Sequence, residues 1–510
     1  MNNIDFLSRE EITALKLRQL FHERGYTRVT PGRFQEYDLF AENRSFHNIS
    51  SLITFMDADG RLMALKPDVT LSIIRNTPDT PDAQRLCYAD EVYRLSSEQR
   101  EYKALSQVGV ELIGGDSAAA NTEIVALAVE SLKLIGNNTA LDVSHMGFVS
   151  GLFDAMELTE NARKSLLEYI HAKDIRGVSE TLKTLEIGEE SARYITRLAE
   201  LRGSARECLD NARELILNAE TETAFNELSG IIKANNTVNI DFSMVSDLDY
   251  YNGPVFRGYV EGVPAAVLSG GRYDGLMRRM GKMNGAIGFA VTLNNLGRVG
   301  VQSPTTKSNS NDWLNVALPK GRLGDSARAL LTGKSGEEKS SRKLIIEDAE
   351  HKFRYFLVKP SDVAIYVEHG AADIGVVGKD TLLETRPDVY ELAALDIGKC
   401  IVAVAAPAGF TENTDTPLRV ATKYVNIAKD YYASINRNIE IIELSGSIEL
   451  APLLGLSDVI VDIVETGGTL KANKLNVTSH VADISARLIA NKASYKFKSK
   501  RIDEIVGTIV

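Results

Sequence analysis

Apolar and polar positions follow three rhythms along the chain before residue 301, and each predicts a different kind of structure. From residue 1 to about 154, helical periodicity mixes with short apolar strands such as VGVELIG, which begins at Val108. From about 157 to 235 the text is helical and rich in Leu, Glu, Arg and Ala, with glycine only at Gly177, Gly188, Gly203 and Gly230. Strand-and-turn text then returns as NIDFSMVSDLDYYNGPVFRGYVEG, with aromatic and β-branched residues around an Asn-Gly turn. This order predicts a helical insert within a mixed, strand-rich core.

The rhythm breaks at residues 301–312, VQSPTTKSNSND, where Ser, Thr, Asn and Pro leave nothing to bury. That stretch reads as a linker between domains. Beyond Trp313, strands alternate with helical stretches: LNVAL, ADIGVVG, CIVAVAA, LRVAT, IEIIEL and DVIVDIV. Such alternation predicts α/β architecture with largely parallel sheets.

Composition narrows the function classes. The chain has 510 residues, which at about 150 per domain suggests roughly three domains. A formal net charge of -11 argues against non-specific nucleic-acid binding, which needs clustered Lys and Arg. Three scattered cysteines form no CxxC pair and suit a reducing cytoplasm, and seven histidines show no HxH or HExxH spacing. No protein-built metal site is expected. No signal-peptide pattern is visible in MNNIDFLSREE, and no apolar run approaches ~18 residues, so no membrane association is expected.

Candidate chemistry concentrates in the last two hundred residues. In DVIVDIVETGGTLKAN, a continuous apolar strand runs into Glu465, Thr466, Gly467, Gly468 and Thr469 and then a helix-forming segment. A phosphate at such a junction meets several backbone N–H donors and two hydroxyls, and glycine lets the backbone approach it closely. Asp462 and Glu465 can accept hydrogen bonds from ribose hydroxyls. In ALPKGRL, Lys320 and Arg322 flank Gly321 after a strand, where ligands sit in open α/β sheets. Arg342, in SRKLI, adds a planar fork suited to phosphate. Taken singly, each is an ordinary turn or a solvated cation.

Taken together, KGRL, SRKLI, VEHGAADIGVVGKD, IGKC, ATKY, SGSIELAPLLGLSD and DIVETGGTLKAN resemble the short form of ATP phosphoribosyltransferase, over nearly all of residues 313–510. The resemblance implies two α/β lobes of periplasmic-binding-protein-like architecture, about 313–405 plus 481–510 and about 406–480. It implies that Asp462 and Glu465 to Thr469 hold phosphoribosyl pyrophosphate, and that Lys320, Gly321 and Arg322 meet ATP or pyrophosphate. Arg322 and Arg342 would stabilise charge on the departing pyrophosphate, with Mg²⁺ accompanying the substrates. Lys359 precedes Pro360 where that family commonly has Arg.

Residues 1–298 resemble the catalytic core of histidyl-tRNA synthetase, carried by TPGRFQEYDLF, LKPDVTLSIIR, EVYRLSSEQREYKALSQVGVELIG, DLDYYNGPVFRGYVEG and SGGRYDGLMRRMG. The resemblance implies a class II synthetase core, an antiparallel sheet with flanking helices, as domain 1–300 with its insert at about 157–235. Ser246-Asp247 stand where the synthetase has Arg-Gly, and Asn294-Asn295 where it has Glu-Arg, while Arg94 survives. Aminoacylation is therefore not expected. Asp68, Gln107, Glu111, Tyr250 and Tyr251 align with positions that cradle histidine in that family. This pattern resembles the regulatory subunit that accompanies short-form ATP phosphoribosyltransferases. It implies feedback inhibition by histidine, a cytoplasmic enzyme of histidine biosynthesis and a homo-oligomer. Two alternatives stay open at this point: a two-lobed binding protein without catalysis, and a working synthetase in the N-terminal half.

Overall fold

The computed structural model describes residues 6–43, 51–95, 101–245, 250–294, 296–298, 313–333 and 343–509. The chain forms two compact units, Met1–Ser308 and Asn309–Val510. The predicted linker, 301–312, lies outside the described residues. No helix among the described residues is long and apolar enough to cross a membrane.

The N-terminal unit is built on a nine-stranded sheet that carries, next to one edge strand, a long hairpin, Gln84–Leu95 with Tyr102–Ile113, paired in unbroken antiparallel register. Ala286–Thr292 pairs on the far side of Tyr102–Ile113, followed by Leu268–Arg272, Pro254–Val260 and Thr139–His145. Side chains alternate along a strand, so each strand serves two faces. Val108, Val110 and Leu112 enter the large core beneath helices Arg9–Glu23 and Ser117–Ile135. Gln107, Gly109 and Glu111 point the other way, opposite Thr292, Ala290 and Gly288.

The insert is helical over Glu160–Ala172, Ile175–Thr184, Glu189–Glu200, Ala205–Ala212 and Ala219–Ala234. Its helical reading misses one element. Arg202–Ser204 is the last strand of the nine-stranded sheet, antiparallel to Asn239–Asp241. Gly203, at φ +119°, holds a backbone angle that a helix cannot use. A buried ion pair adds a second tie between insert and sheet. Lys173 ends helix Glu160–Ala172 in the left-handed region, and its Nζ reaches both carboxylate oxygens of Asp241 at 2.9 Å and Ser243 Oγ at 2.5 Å.

The C-terminal unit has two sheets. One orders its strands as Ile345–Asp348, Phe353–Val358, Leu314–Pro319, Ile374–Gly378, Ala486–Asn491 and Val389–Ala394. The other runs Ile439–Glu443, Leu418–Thr422, Val459–Val464, Cys400–Pro407 and Leu475–Ile484. Two expectations need correction. Both sheets are mixed rather than largely parallel: three consecutive parallel strands in each are joined by antiparallel ones. The lobe boundaries also move. Cys400–Pro407 pairs along its length with Leu475–Ile484, so both strands belong wholly to the second lobe and the chain crosses near residues 395–399 and 485. The strands that lead into and out of the second lobe run against the parallel set, which is the source of the mixed pairing.

Lys173→Met should destabilise the N-terminal unit by about 3–5 kcal/mol, because it leaves Asp241 buried without its cation. Denaturant unfolding of the full chain measures this, and pairing the change with Asp241→Leu should recover much of the loss.

Candidate functional site

The strand face carrying Gln107 and Glu111 forms the floor of a cavity of about 500 Å³. Glu111 is only 2% exposed. Its carboxylate accepts from Thr70 Oγ1 at 2.7 Å and Tyr273 Oη at 2.5 Å. Burial pushes its carboxyl up to about 8; the two hydrogen bonds oppose that rise, and the charge of Asp68 adds to it. Asp68 stands at the start of helix Thr70–Asn76, where its Oδ1 accepts from Leu71 N–H at 3.1 Å.

Tyr250 and Tyr251 meet edge to face with ring centroids 4.5 Å apart, and Tyr273 lies 6.2 Å from Tyr250. Burial raises all three phenols, helped by Asp68 and Glu111 at Tyr250 and Tyr251 and by Glu111 at Tyr273, so they stay neutral donors. Gln107 Nε2 is 3.5 Å from Thr292 Oγ1, at the limit of a hydrogen bond. All five residues anticipated for this pocket line one cavity.

Residues that pattern reading did not single out complete the pocket. Thr70 and Tyr273 hold Glu111, and Tyr88 forms part of the wall. A Cβ on Gly288 would lie 1.9 Å from Glu111 Oε2, and one on Gly109 would lie 2.5 Å from the Tyr88 ring. The only signal for Tyr273 was its place in the SGGRYDG run, and nothing marked Gly288. Arg94 Nε donates to Pro67 O at 2.9 Å, which braces the backbone beside Asp68. Asn294 accepts from Ser106 N–H at 2.8 Å and donates to Ala104 O at 3.1 Å, so it ties two strand ends together. Ser246, Asp247 and Asn295 lie outside the described residues.

In the C-terminal unit the anticipated groups gather where parallel strands end. Leu314–Pro319 leads through Lys320 into Gly321, at φ +94°, and helix Arg322–Thr332. A Cβ on Gly324 would lie 1.9 Å from Pro319 O, so the tight entry to that helix requires glycine there. Arg322 Nη2 approaches Glu465 Oε2 at 3.1 Å and so spans the two lobes. Both side chains are exposed, 89% and 59%.

Glu465, Thr466 and Gly467 connect strand Val459–Val464 to the short helix Gly468–Ala472, with Gly467 at φ +71°. The first helical turn leaves N–H groups without intrahelical acceptors. Beyond its own chain neighbours, the nearest atom to where a Cβ of Gly468 would stand is Thr466 Oγ1 at 3.7 Å, so the approach to this loop is uncrowded. Asp462 is raised above the usual carboxylate range by burial, against a 2.8 Å bond from Ile463 N–H and the charge of Lys423 at 4.0 Å. Lys423 is a cation at this edge that pattern reading left without a role. Arg342 lies outside the described residues, and Lys359 sits exposed just before the turn Pro360–Asp362. Among the described residues no group of three or more His, Cys, Asp or Glu side chains is arranged to hold a metal ion.

Comparison with known proteins fits this division. The family model described as histidyl-tRNA synthetase matches residues 5–296, and that described as ATP phosphoribosyltransferase matches 359–510. The ATP phosphoribosyltransferase of Brachyspira hyodysenteriae is 57% identical over 201 residues, which are 38% of this chain and 98% of that protein. The chain belongs to the ATP phosphoribosyltransferase family, with a histidyl-tRNA-synthetase-family unit in front.

The ATP phosphoribosyltransferase of Clostridioides difficile is 52% identical over 199 residues, covering 38% of this chain and 96% of its own. A solved structure described as an ATP phosphoribosyltransferase regulatory subunit/histidyl-tRNA synthetase, from Bacillus halodurans, aligns with a TM-score of 0.52 at 23% identity. It covers 69% of this chain and 94% of its own, and supports the fold of the synthetase-like unit.

In that unit, Gly288→Ala should expel the Glu111 carboxylate from its seat and lower stability by about 1–3 kcal/mol. Denaturant unfolding measures the loss, and a crystal structure of the variant would show the Tyr273–Glu111 bond broken.

Proposed function

We propose that this chain transfers the 5-phosphoribosyl group of phosphoribosyl pyrophosphate to N1 of ATP, releasing pyrophosphate in the first step of L-histidine biosynthesis. We further infer that histidine, bound in the N-terminal cavity, inhibits this reaction. The observation that carries the catalytic reading is the Glu465–Thr469 loop with Asp462 behind it and Arg322 reaching it from the other lobe.

The chemistry follows from the charges that move. N1 of adenine is already a nucleophile and needs no base. As it attacks the anomeric carbon, positive charge develops on the ribose and negative charge on the leaving pyrophosphate. The loop N–H groups and the hydroxyls of Thr466 and Thr469 hold the 5′-phosphate, and Asp462 and Glu465 accept from the ribose hydroxyls. Arg322 turns from Glu465 toward the departing pyrophosphate, with Lys320 and Gly321 beside it and Arg342 as a second cation. Mg²⁺ bound with the substrates would supply further charge neutralisation at their phosphates.

In the N-terminal pocket, Glu111 and Asp68 offer acceptors for an ammonium and an imidazole N–H. Gln107 adds an amide, and Tyr250 and Tyr251 offer flat walls. Amino-acid activation is disfavoured, because Ser246 and Asn295 stand where the synthetase has the arginines that assist activation and meet ATP. We place the enzyme in the cytoplasm as a homo-oligomer, with no nucleic-acid partner, in keeping with its net charge of -11.

An initial-rate assay for phosphoribosyl-ATP, with and without histidine, tests both parts; no product would defeat the first and no inhibition the second. Arg322→Ala should cut turnover by about 10²–10³-fold. Glu111→Ala should weaken histidine inhibition by about tenfold or more while the uninhibited rate is retained. Binding should also be linked to protons. With its carboxyl near 8 in the free pocket, Glu111 is mostly protonated at pH 7, and a bound ammonium favours its carboxylate. Histidine binding should therefore release protons and tighten as pH rises from 6.5 toward 8, by at most ~tenfold per unit. Calorimetry in buffers of different ionisation enthalpy measures this, and an absence of proton release would separate Glu111 from the ligand.

A further inference from the structure

Strands Leu418–Thr422 and Val459–Val464 are parallel neighbours, with Thr422 opposite Val461. The chain therefore leaves both at the same edge, and Lys423 emerges beside Asp462, three residues before Glu465. Its ammonium lies 4.0 Å from Asp462 Oδ1 and 4.7 Å from the centroid of the Tyr424 ring, and its side chain is 44% exposed. Among the described residues it makes no hydrogen bond, so its three donors are available to a ligand.

The segment carrying Lys423 is held from both lobes. On its own side, Thr422 Oγ1 donates to Val461 O at 2.7 Å and accepts from Tyr424 N–H at 2.8 Å. The following helix, Val425–Ser434, has no side-chain cap of its own at Tyr424. The missing cap comes from the opposite lobe. The Glu384 carboxylate, on helix Lys379–Thr385, accepts from Asn426 N–H at 3.0 Å and Ile427 N–H at 3.1 Å. Asn426 Nδ2 returns a bond to Glu384 O at 2.8 Å, and Tyr424 Oη donates to Asp380 Oδ2 at 3.1 Å.

We propose that Lys423 binds a phosphate oxygen of the ribosyl donor and that Glu384, by capping its helix from the other lobe, is the residue that positions it. This rests on the phosphoribosyl-transfer reading above. The carboxylates of Asp462 and Glu465 would repel a multiply charged donor, and a cation beside Asp462 offsets part of that repulsion. The capping bonds also join the two lobes beside Lys423.

The test is steady-state kinetics on the full chain, varying phosphoribosyl pyrophosphate at saturating ATP. Lys423→Ala should raise the KM for the donor by about ten- to a hundredfold, with the KM for ATP little changed, and Lys423→Arg should recover most of the loss. Glu384→Ala should raise the same constant, and Glu384→Gln, which keeps an acceptor for the helix N–H groups, should largely restore it. Because Glu384 acts through Lys423, the double variant should be little worse than Lys423→Ala alone. A donor KM untouched by Lys423→Ala overturns the binding role, and effects that multiply in the double variant overturn the positioning role. Either result with an active wild-type enzyme leaves the transfer reading standing, whereas a wild-type enzyme that makes no phosphoribosyl-ATP defeats both.

Discussion

The absence of a Cβ at Gly288 is what lets a carboxyl group sit on the face of a nine-stranded sheet. Glu111 occupies the volume that any larger residue at that position would claim. Once there, it is deprived of water and must find donors within the protein, which Thr70 and Tyr273 supply. The wall of tyrosines follows from the same exclusion, since Gly109 makes room for Tyr88 and Gly271 for Tyr251. The polar pocket is therefore a consequence of backbone left bare on one face of strands whose other face is packed with Val108, Val110 and Leu112.

The two units handle charge in opposite ways. In the N-terminal pocket a single acid is buried so thoroughly that its carboxyl is pushed up to about 8. At the C-terminal site the ion pair between the lobes remains wet. Arg322 and Glu465 pair across the lobes while largely exposed, an arrangement that contributes little stability and is easily exchanged for a ligand. Under the proposed histidine sensing, the first arrangement makes occupancy change protonation. A phosphoryl-group site benefits from the second because the cations need only turn.

Topology decides which groups can act together in the catalytic unit. Each sheet has three parallel neighbours, and the loops that follow them lie along one edge. In this way Lys423, which lies 39 positions before Asp462 in the chain, arrives within 4.0 Å of it. The two crossings between lobes bring in the antiparallel strands, and the contacts of Glu384 with the helix of the other lobe tie the halves together near those crossings.

Much of this was legible in the chain itself. The switch from mixed text to helical text to strand–helix alternation marked the organisation into two units and an insert, because burying one face imposes a period on the sequence. The run DIVETGGTLKAN announced its loop, because glycine takes the φ of +71° found at Gly467 without the strain a Cβ brings. Asp68, Gln107, Glu111, Tyr250 and Tyr251 could be named because they stand in long motifs. Local pattern could not reveal Gly288 under Glu111, Tyr273 above it, the edge strand Arg202–Ser204, the true ends of the lobes, or Glu384 capping a distant helix. Each of these depends on which strands pair and in what register. Register is set by contacts between residues far apart in the chain, and a local period carries no record of the partner.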